Sequence, residues 1–414
     1  MFTLLFVFFL LLHTGIALWL AQRQIRHVRA HRDRVPDLFA ERIALSSHQR
    51  AADYTVARTQ LGMLQGVIHA ATLIVLTLLG GLQWLDQTLS AMVTHALWRQ
   101  LLLIGALTGI LGLLGLPLTL WRKFRLEARF GFNRTTPGLF LADTGKVLVL
   151  SLMLGTPLAA AALWLMGHAG SAWAWWAWGL WVVFNVLILW LFPTVIAPLF
   201  NKFTPLQDPE MTQRIASLAQ RSGFTLNGLF VMDGSRRSAH SNAYFTGIGK
   251  AKRIVFFDTL LKRLNLDEIE AVLAHELGHF KHRHVLKRIV ISLSMSLVFL
   301  HLLAWLAGKA WFYTELGVVP LLGQANDALA LILFMLVVPV FTFWVEPLTS
   351  VLSRRDEFQA DHYAAQQSSA PALVSALLKL YNDNAATLTP DPLYSAFYDS
   401  HPQAYERIQR LHHG

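Results

Sequence analysis

"DEIEAVLAHELGHFKHRH" occupies residues 267–284. The stretch reads as a helix whose amino end suits its dipole. Asn265 stands where a side chain caps the first turn, and Asp267 and Glu268 place negative charge beside it. On such a helix His275 and His279 lie about one turn apart on one face, able to grip a single metal ion. Glu276 follows the first of them, placed to act as general base on water at that ion. Gly278 carries no side chain, so another element can approach closely there. His282 shares the face but sits about 10 Å along the axis from His275, too far for zinc–nitrogen bonds of about 2.1 Å. His282 and His284 therefore read as solvated or substrate-lining residues, and a third ligand must come from elsewhere.

The chain around this motif is membrane in character. Of its 414 residues, 54% are hydrophobic and 14% charged, where soluble domains carry about 25% charged residues. The mean hydropathy is +0.44. Apolar runs near 2–22, 61–82, 101–121, 147–167, 172–192, 289–308 and 328–345 approach or exceed the roughly 20 residues that a bilayer core requires. The first run lacks a basic start and is too long for a cleaved leader, so it counts as a span.

Charge gives the orientation. Segments 23–60, 122–146, 193–288 and 351–414 hold 8, 6, 14 and 5 Lys and Arg residues, and the alternate connections hold only Arg99 and Lys309. Positive residues stay on the cytoplasmic side, so the amino terminus faces outward and the carboxyl terminus inward. The formal charge of +10 is then a topology signal, with anionic lipid headgroups as its neighbours and nucleic acid excluded as a partner. With no cysteine, the chain has no disulfide, thiolate metal site or cysteine nucleophile.

Four regions follow: five spans over 1–192, a hydrophilic block at 193–288, two spans over 289–349 and a second block at 350–414. The blocks share the cytoplasmic side and can fold together. "SVLSRRDEFQADHYAAQQ" at 350–367 sets Glu357 and Asp361 about one helical turn apart. One carboxylate can bind a metal while the other holds a ligand histidine by hydrogen bond. "NAYFTGIGKAKRIVFFD" at 242–258 reads as a hairpin around a Gly-containing turn, whose edge can take an extended peptide by strand addition. Glu346 and His69, in or beside apolar runs, are expected to face protein or water.

HELGH and SRRDEFQAD, separated by two spans, come in order with "EARFGFNRTT" (127–136), "PTVIAPLFNKFTPL" (193–206), "SAHSNAYFTG" (238–247) and "SHPQAYERI" (400–408). This set resembles the type 1 CAAX prenyl protease family of integral membrane zinc endopeptidases. The resemblance implies a mainly α, multi-pass membrane protein of about seven transmembrane helices around a chamber. A cytoplasmic gluzincin-like zinc protease domain with a small β-hairpin completes it. It implies one Zn2+ per chain on His275, His279 and Glu357, with Glu276 as general base and acid. Asp361 falls on the supporting carboxylate, His401 near the substrate carbonyl, and Arg407 where it braces the site. Asn242, Ala243 and Tyr244 match the segment lining the cleft.

The implied partners are peptide or protein substrates, lipidated or cut near the C-terminus, together with membrane lipids. Gln403 stands where a second Pro is often seen after His401. The chain ends without an endoplasmic-reticulum retrieval signal, so the expected home is a bacterial inner membrane, with the endoplasmic reticulum as alternative. Two other functions compete: a quality-control protease for misfolded or jammed chains, and a non-enzymatic transporter or scaffold. A transporter predicts charges within the spans and a repeat between halves, and the sequence shows neither.

Overall fold

The computed structural model describes residues 1–224, 228–246, 253–320 and 325–413. Among them seven helical stretches are long and apolar enough to cross a membrane: Phe2–Ala30, Leu45–Leu76, Ala96–Glu127, Pro137–His168, Gly170–Phe200, His284–Ala307 and Asp327–Gln367. Each contains most or all of one expected run but extends beyond it, because a helix continues through polar residues that hydropathy does not count. The last is the extreme case. Its 41 residues pass through a short 3-10 turn at Phe343–Val345 into the helix Glu346–Gln367, so the span and the second carboxylate-bearing segment are one rod.

The spans differ in what they touch. Half of the most apolar window of the seventh is buried inside the protein, against 6% for the fourth and fifth. The seventh is thus the central post, and the fourth and fifth leave their side chains open to lipid. At one end of the bundle Phe6 and Leu10, Leu73 and Leu76, Leu103 and Leu107, and Leu333 close an apolar core between four spans. Below it the bundle is not filled. A cavity of about 1190 Å³ opens between the first, second and seventh spans, reaching from Leu10, His13 and His69 to Asn242, His401 and Arg407. Gly62 and Gly66 lie on its wall. His69 thus faces this cavity.

The two hydrophilic blocks share one core. Ile215 and Leu218 of the helix Pro209–Arg221, Ile254 and Phe256, Leu273 and Leu277, and Leu373 and Leu377 pack together. Among the described residues the sheet has four strands, β1 (Phe203–Pro205), β2 (Leu229–Met232), β3 (Ala243–Thr246) and β4 (Arg253–Phe257), in the order β1-β2-β4-β3. β3 and β4 pair antiparallel as the hairpin reading expects, with Tyr244 opposite Val255; the turn at 247–252 lies outside the described residues. The parallel β2–β4 pair and the short β1 enlarge the expected hairpin, leaving β3 at one edge.

Candidate metal centre

The motif helix is Leu266–Lys281, and its cap is built as the sequence suggests. Asn265 Oδ1 accepts from the Glu268 N–H at 2.9 Å, and Glu268 Oε2 accepts from the Asn265 N–H at 2.8 Å. Glu268 also accepts from Ser375 Oγ and Lys379 Nζ, each at 2.7 Å. The cap therefore ties the motif helix to the helix Ala370–Asp383.

Opposite the motif helix runs Glu346–Gln367, and Gly278 sets how closely they meet. A methyl group on Gly278 would stand 2.9 Å from Ala360 Cα, closer than packed carbons tolerate. This approach brings the buried Glu357 carboxylate against the two histidines. His275 Nε2 and His279 Nε2 are 3.3 Å apart; Glu357 Oε2 lies 3.5 Å from the first, and Oε1 3.4 Å from the second. In a tetrahedral zinc site with bonds of about 2.0–2.1 Å, neighbouring ligand atoms stand about 3.3–3.4 Å apart. Glu357 Oε2 is fully buried without a hydrogen-bond partner, a costly state for a carboxylate oxygen unless a cation meets it. The donor set and its spacing fit a single divalent ion.

The supports differ for the two histidines. His275 Nδ1 lies 2.9 Å from Asp361 Oδ1, and Arg407 clamps that carboxylate through Nε to Oδ2 (2.8 Å) and Nη2 to Oδ1 (2.6 Å). Arg407, only 5% exposed, also reaches within 3.8 Å of Glu357 Oε2. Burial alone lowers the His275 pKa, but its contacts with Asp361 and Glu357 outweigh burial and push it up to about 9 in the metal-free protein. Burial raises the Glu276 pKa, against the pull of His275 and His279. A carboxyl held upward in this way is suited to holding a proton between two transfers.

His279 is supported by a residue the sequence reading placed elsewhere. His284 is not solvated: it is 1% exposed, its Nδ1 is 3.0 Å from His279 Nδ1, and its Nε2 is 2.9 Å from Gln359 Oε1. Asp356 lies 3.4 Å from the same nitrogen. The cause is Arg283, whose left-handed backbone (φ 56°) ends one helix and starts the next, turning His284 back toward the motif. With neither Gly nor Asn to mark the stop, the run reads as continuous helix. His282 remains exposed.

His401 is exposed on the cavity wall, with Nε2 3.5 Å from Glu357 Oε1 and Nδ1 3.0 Å from Ser400 Oγ. Of the expected cleft segment, Asn242 lines the cavity. Ala243 turns its methyl into the core, and Tyr244 is half-buried with its hydroxyl toward Met232 Sδ. The loop 127–136 docks beside this segment: Ala239 N–H donates to the Phe132 carbonyl (3.1 Å), Arg134 N–H to the Arg237 carbonyl (3.1 Å), and Tyr54 Oη to Glu127 (2.8 Å). Motifs far apart in sequence thus meet around one cavity.

Residues 205–414 match Peptidase family M48, and residues 24–202 match the CAAX prenyl protease N-terminal family, described as five membrane helices. The chain belongs to peptidase family M48. CAAX prenyl protease 1 of Saccharomyces cerevisiae is 36% identical over 325 residues, covering 76% of this chain and 72% of the yeast protein. The Homo sapiens CAAX prenyl protease 1 homolog is 30% identical over 449 residues, covering 97% and 94%. The crystal structure of S. mikatae Ste24p is similar at a TM-score of 0.93 and 30% identity, over 99% of each chain. This M48 member is therefore a multi-pass membrane metallopeptidase of the CAAX protease type, and the transporter or scaffold reading is set aside.

Proposed function

We propose that this peptidase holds one Zn2+ on His275, His279 and Glu357 and cuts peptide bonds at the cytoplasmic end of its cavity. The observation that carries this is the triangle of 3.3, 3.4 and 3.5 Å between the three donor groups, closed over a buried oxygen with no hydrogen-bond partner. A zinc ion held there supplies Lewis acidity toward the scissile carbonyl and makes its water acidic near neutral pH. Glu276 takes the proton of the attacking water and delivers it to the leaving amine. His401, exposed beside Glu357, donates a hydrogen bond to the carbonyl oxygen as charge develops. Asp361, locked by Arg407, and His284 fix the ring orientations of His275 and His279.

The substrate is an extended peptide or protein end, with Asn242 at the cavity and the open edge of β3 beside it for strand addition. The basic segments 23–60 and 122–146 support an amino terminus outside and a site facing the cytoplasm. Metal analysis of the purified protein beside Glu357→Ala tests the ligand set. One zinc per parent chain and less than a tenth of that in the variant is expected; equal zinc in both would remove Glu357 from the site. Cleavage of farnesylated and unmodified CAAX peptides side by side then reads out whether lipidation matters.

A further inference from the structure

One face of the helix Glu346–Gln367 does more than carry Glu357 and Asp361. Ser350, Arg354, Glu357 and Asp361 follow one another at intervals of four, three and four residues, so they form a single stripe along it. The carboxyl half of the stripe serves the metal centre. The amino half holds the end of a short helix, Pro392–Tyr398. Arg354 Nη1 donates to the carbonyls of Ser395 (3.1 Å) and Asp399 (2.7 Å), and Nη2 to that of Ala396 (3.1 Å). Ser350 Oγ donates to the Phe397 carbonyl at 3.0 Å. The last carbonyls of a helix have no partner within it and carry the negative end of its dipole, so a cation with several donors suits them. Arg355, the next residue in the chain, is exposed.

What this end positions is His401. The chain leaves the short helix at Asp399 in extended backbone (φ −80°, ψ 118°) and reaches His401 two residues later. Pro402 follows and disfavours helical backbone at His401. Further on the segment is pinned again, by Arg407 on Asp361 at 2.8 and 2.6 Å. His401 thus stands on a short loop with both ends fastened to one helix. Glu357 lies on that helix between the two fastenings, with Oε1 3.5 Å from His401 Nε2. The amino end of the short helix is held separately, for Asp391 caps it and pairs with Arg23 of the first span at 2.9 Å.

We infer that Arg354 is a positioning residue for the cleavage reaction: by fixing the Asp399 carbonyl it holds the His401 ring in place beside Glu357. This rests on the peptidase reading above and on the role given there to His401. The residue type matters. Two nitrogens of one planar guanidinium reach three carbonyls, whereas a lysine has a single nitrogen to share among them. A shift of about 1 Å in a group that contacts the reacting atoms can cost about 10²-fold in rate. A merely structural arginine would act on stability and zinc content, and its effect on rate would not depend on His401.

The experiment measures kcat, KM and zinc content for the parent, Arg354→Met, His401→Ala and the double variant, zinc-loaded in one detergent and assayed on one farnesylated CAAX peptide. Each single variant should keep its zinc and lose about 10–100-fold in kcat, with KM changed by less than about threefold. In the His401→Ala background, Arg354→Met should cost less than about a further threefold. Arg354→Lys should recover part of the loss. Should Arg354→Met fail to fold, Ser350→Ala runs the same cycle with an expected loss of about two- to fivefold. Losses that multiply in the double variant, or an Arg354→Met protein that sheds its zinc, overturn the positioning role and leave the peptidase reading standing. Parent-like kcat in Arg354→Met beside an impaired His401→Ala does the same. Parent-like kcat in His401→Ala removes His401 from the reaction and this inference with it. A zinc-loaded parent that cuts no peptide overturns the peptidase reading and this inference together.

Discussion

His284 Nδ1 stands 3.0 Å from His279 Nδ1, and its other nitrogen is held by Gln359 on the carboxylate-bearing helix at 2.9 Å. The two helices that meet at the metal centre are thus joined twice, once through the proposed ligands and once behind them. Replacing His284 with Ala should lower zinc affinity by about 10–100-fold, the usual cost of losing a group that orients a ligand. Competition with a zinc chelator measures this. An unchanged affinity would mean that His284 only fills space.

Arg407 is the buried cation facing Asp361 and Glu357. Arg407→Met keeps much of the volume but leaves both carboxylates without it in the metal-free protein. The expected loss is about 3–5 kcal/mol of stability without metal, the range for removing one partner of a buried pair. Because zinc itself neutralises Glu357, the loss should shrink when metal is bound. Thermal melts of both forms with and without zinc check the difference.

Gly278→Ala is a small change with a large expected effect. The added methyl meets Ala360 Cα at 2.9 Å, and neither helix can yield a backbone atom cheaply. Overpacking of this kind costs about 1–3 kcal/mol, and any parting of the helices widens the 3.3–3.5 Å ligand triangle. The variant should therefore lose zinc occupancy as well as stability. A drop in melting temperature at full occupancy would contradict the role given to this crossing.

The pH dependence follows from His275, whose pKa is about 9 in the metal-free fold against an ordinary 6.5. A raised folded value means that protonation stabilises the metal-free protein. That contribution is fully present below about pH 6.5 and is lost as pH rises through about 9. Metal needs the neutral ring, so uptake at pH 7–8 must release a proton, and affinity should fall by up to about tenfold for each unit the pH is lowered below 9. Calorimetry in buffers of different ionisation enthalpy counts the proton. No proton release would show that His275 is already neutral.

What the sequence disclosed depended on whether the signal was local. His275 and His279 lie four residues apart, as do Glu357 and Asp361, so helix periodicity alone puts each pair on one face, with Glu276 next to the first histidine. The seven spans were legible because lipid demands length and apolarity together. His284 was not, because its role depends on the turn at Arg283, an αL residue with no sequence mark. Strands of three and four residues, such as β1 and β2, present too short a pattern to separate from loop. Arg354 was counted among the cytoplasmic charges, and a charge count cannot tell a residue holding backbone carbonyls from one facing headgroups.

The central claim is that Glu276 moves the proton at a zinc centre of this chain's own making. The most direct measurement is zinc content and peptide cleavage of the parent and Glu276→Gln, purified in detergent and assayed on the same farnesylated CAAX peptide. The account predicts one zinc in each and a loss of about 10²–10⁴-fold in kcat for the variant alone. Equal cleavage by both, or activity in a parent that holds no metal, would contradict it.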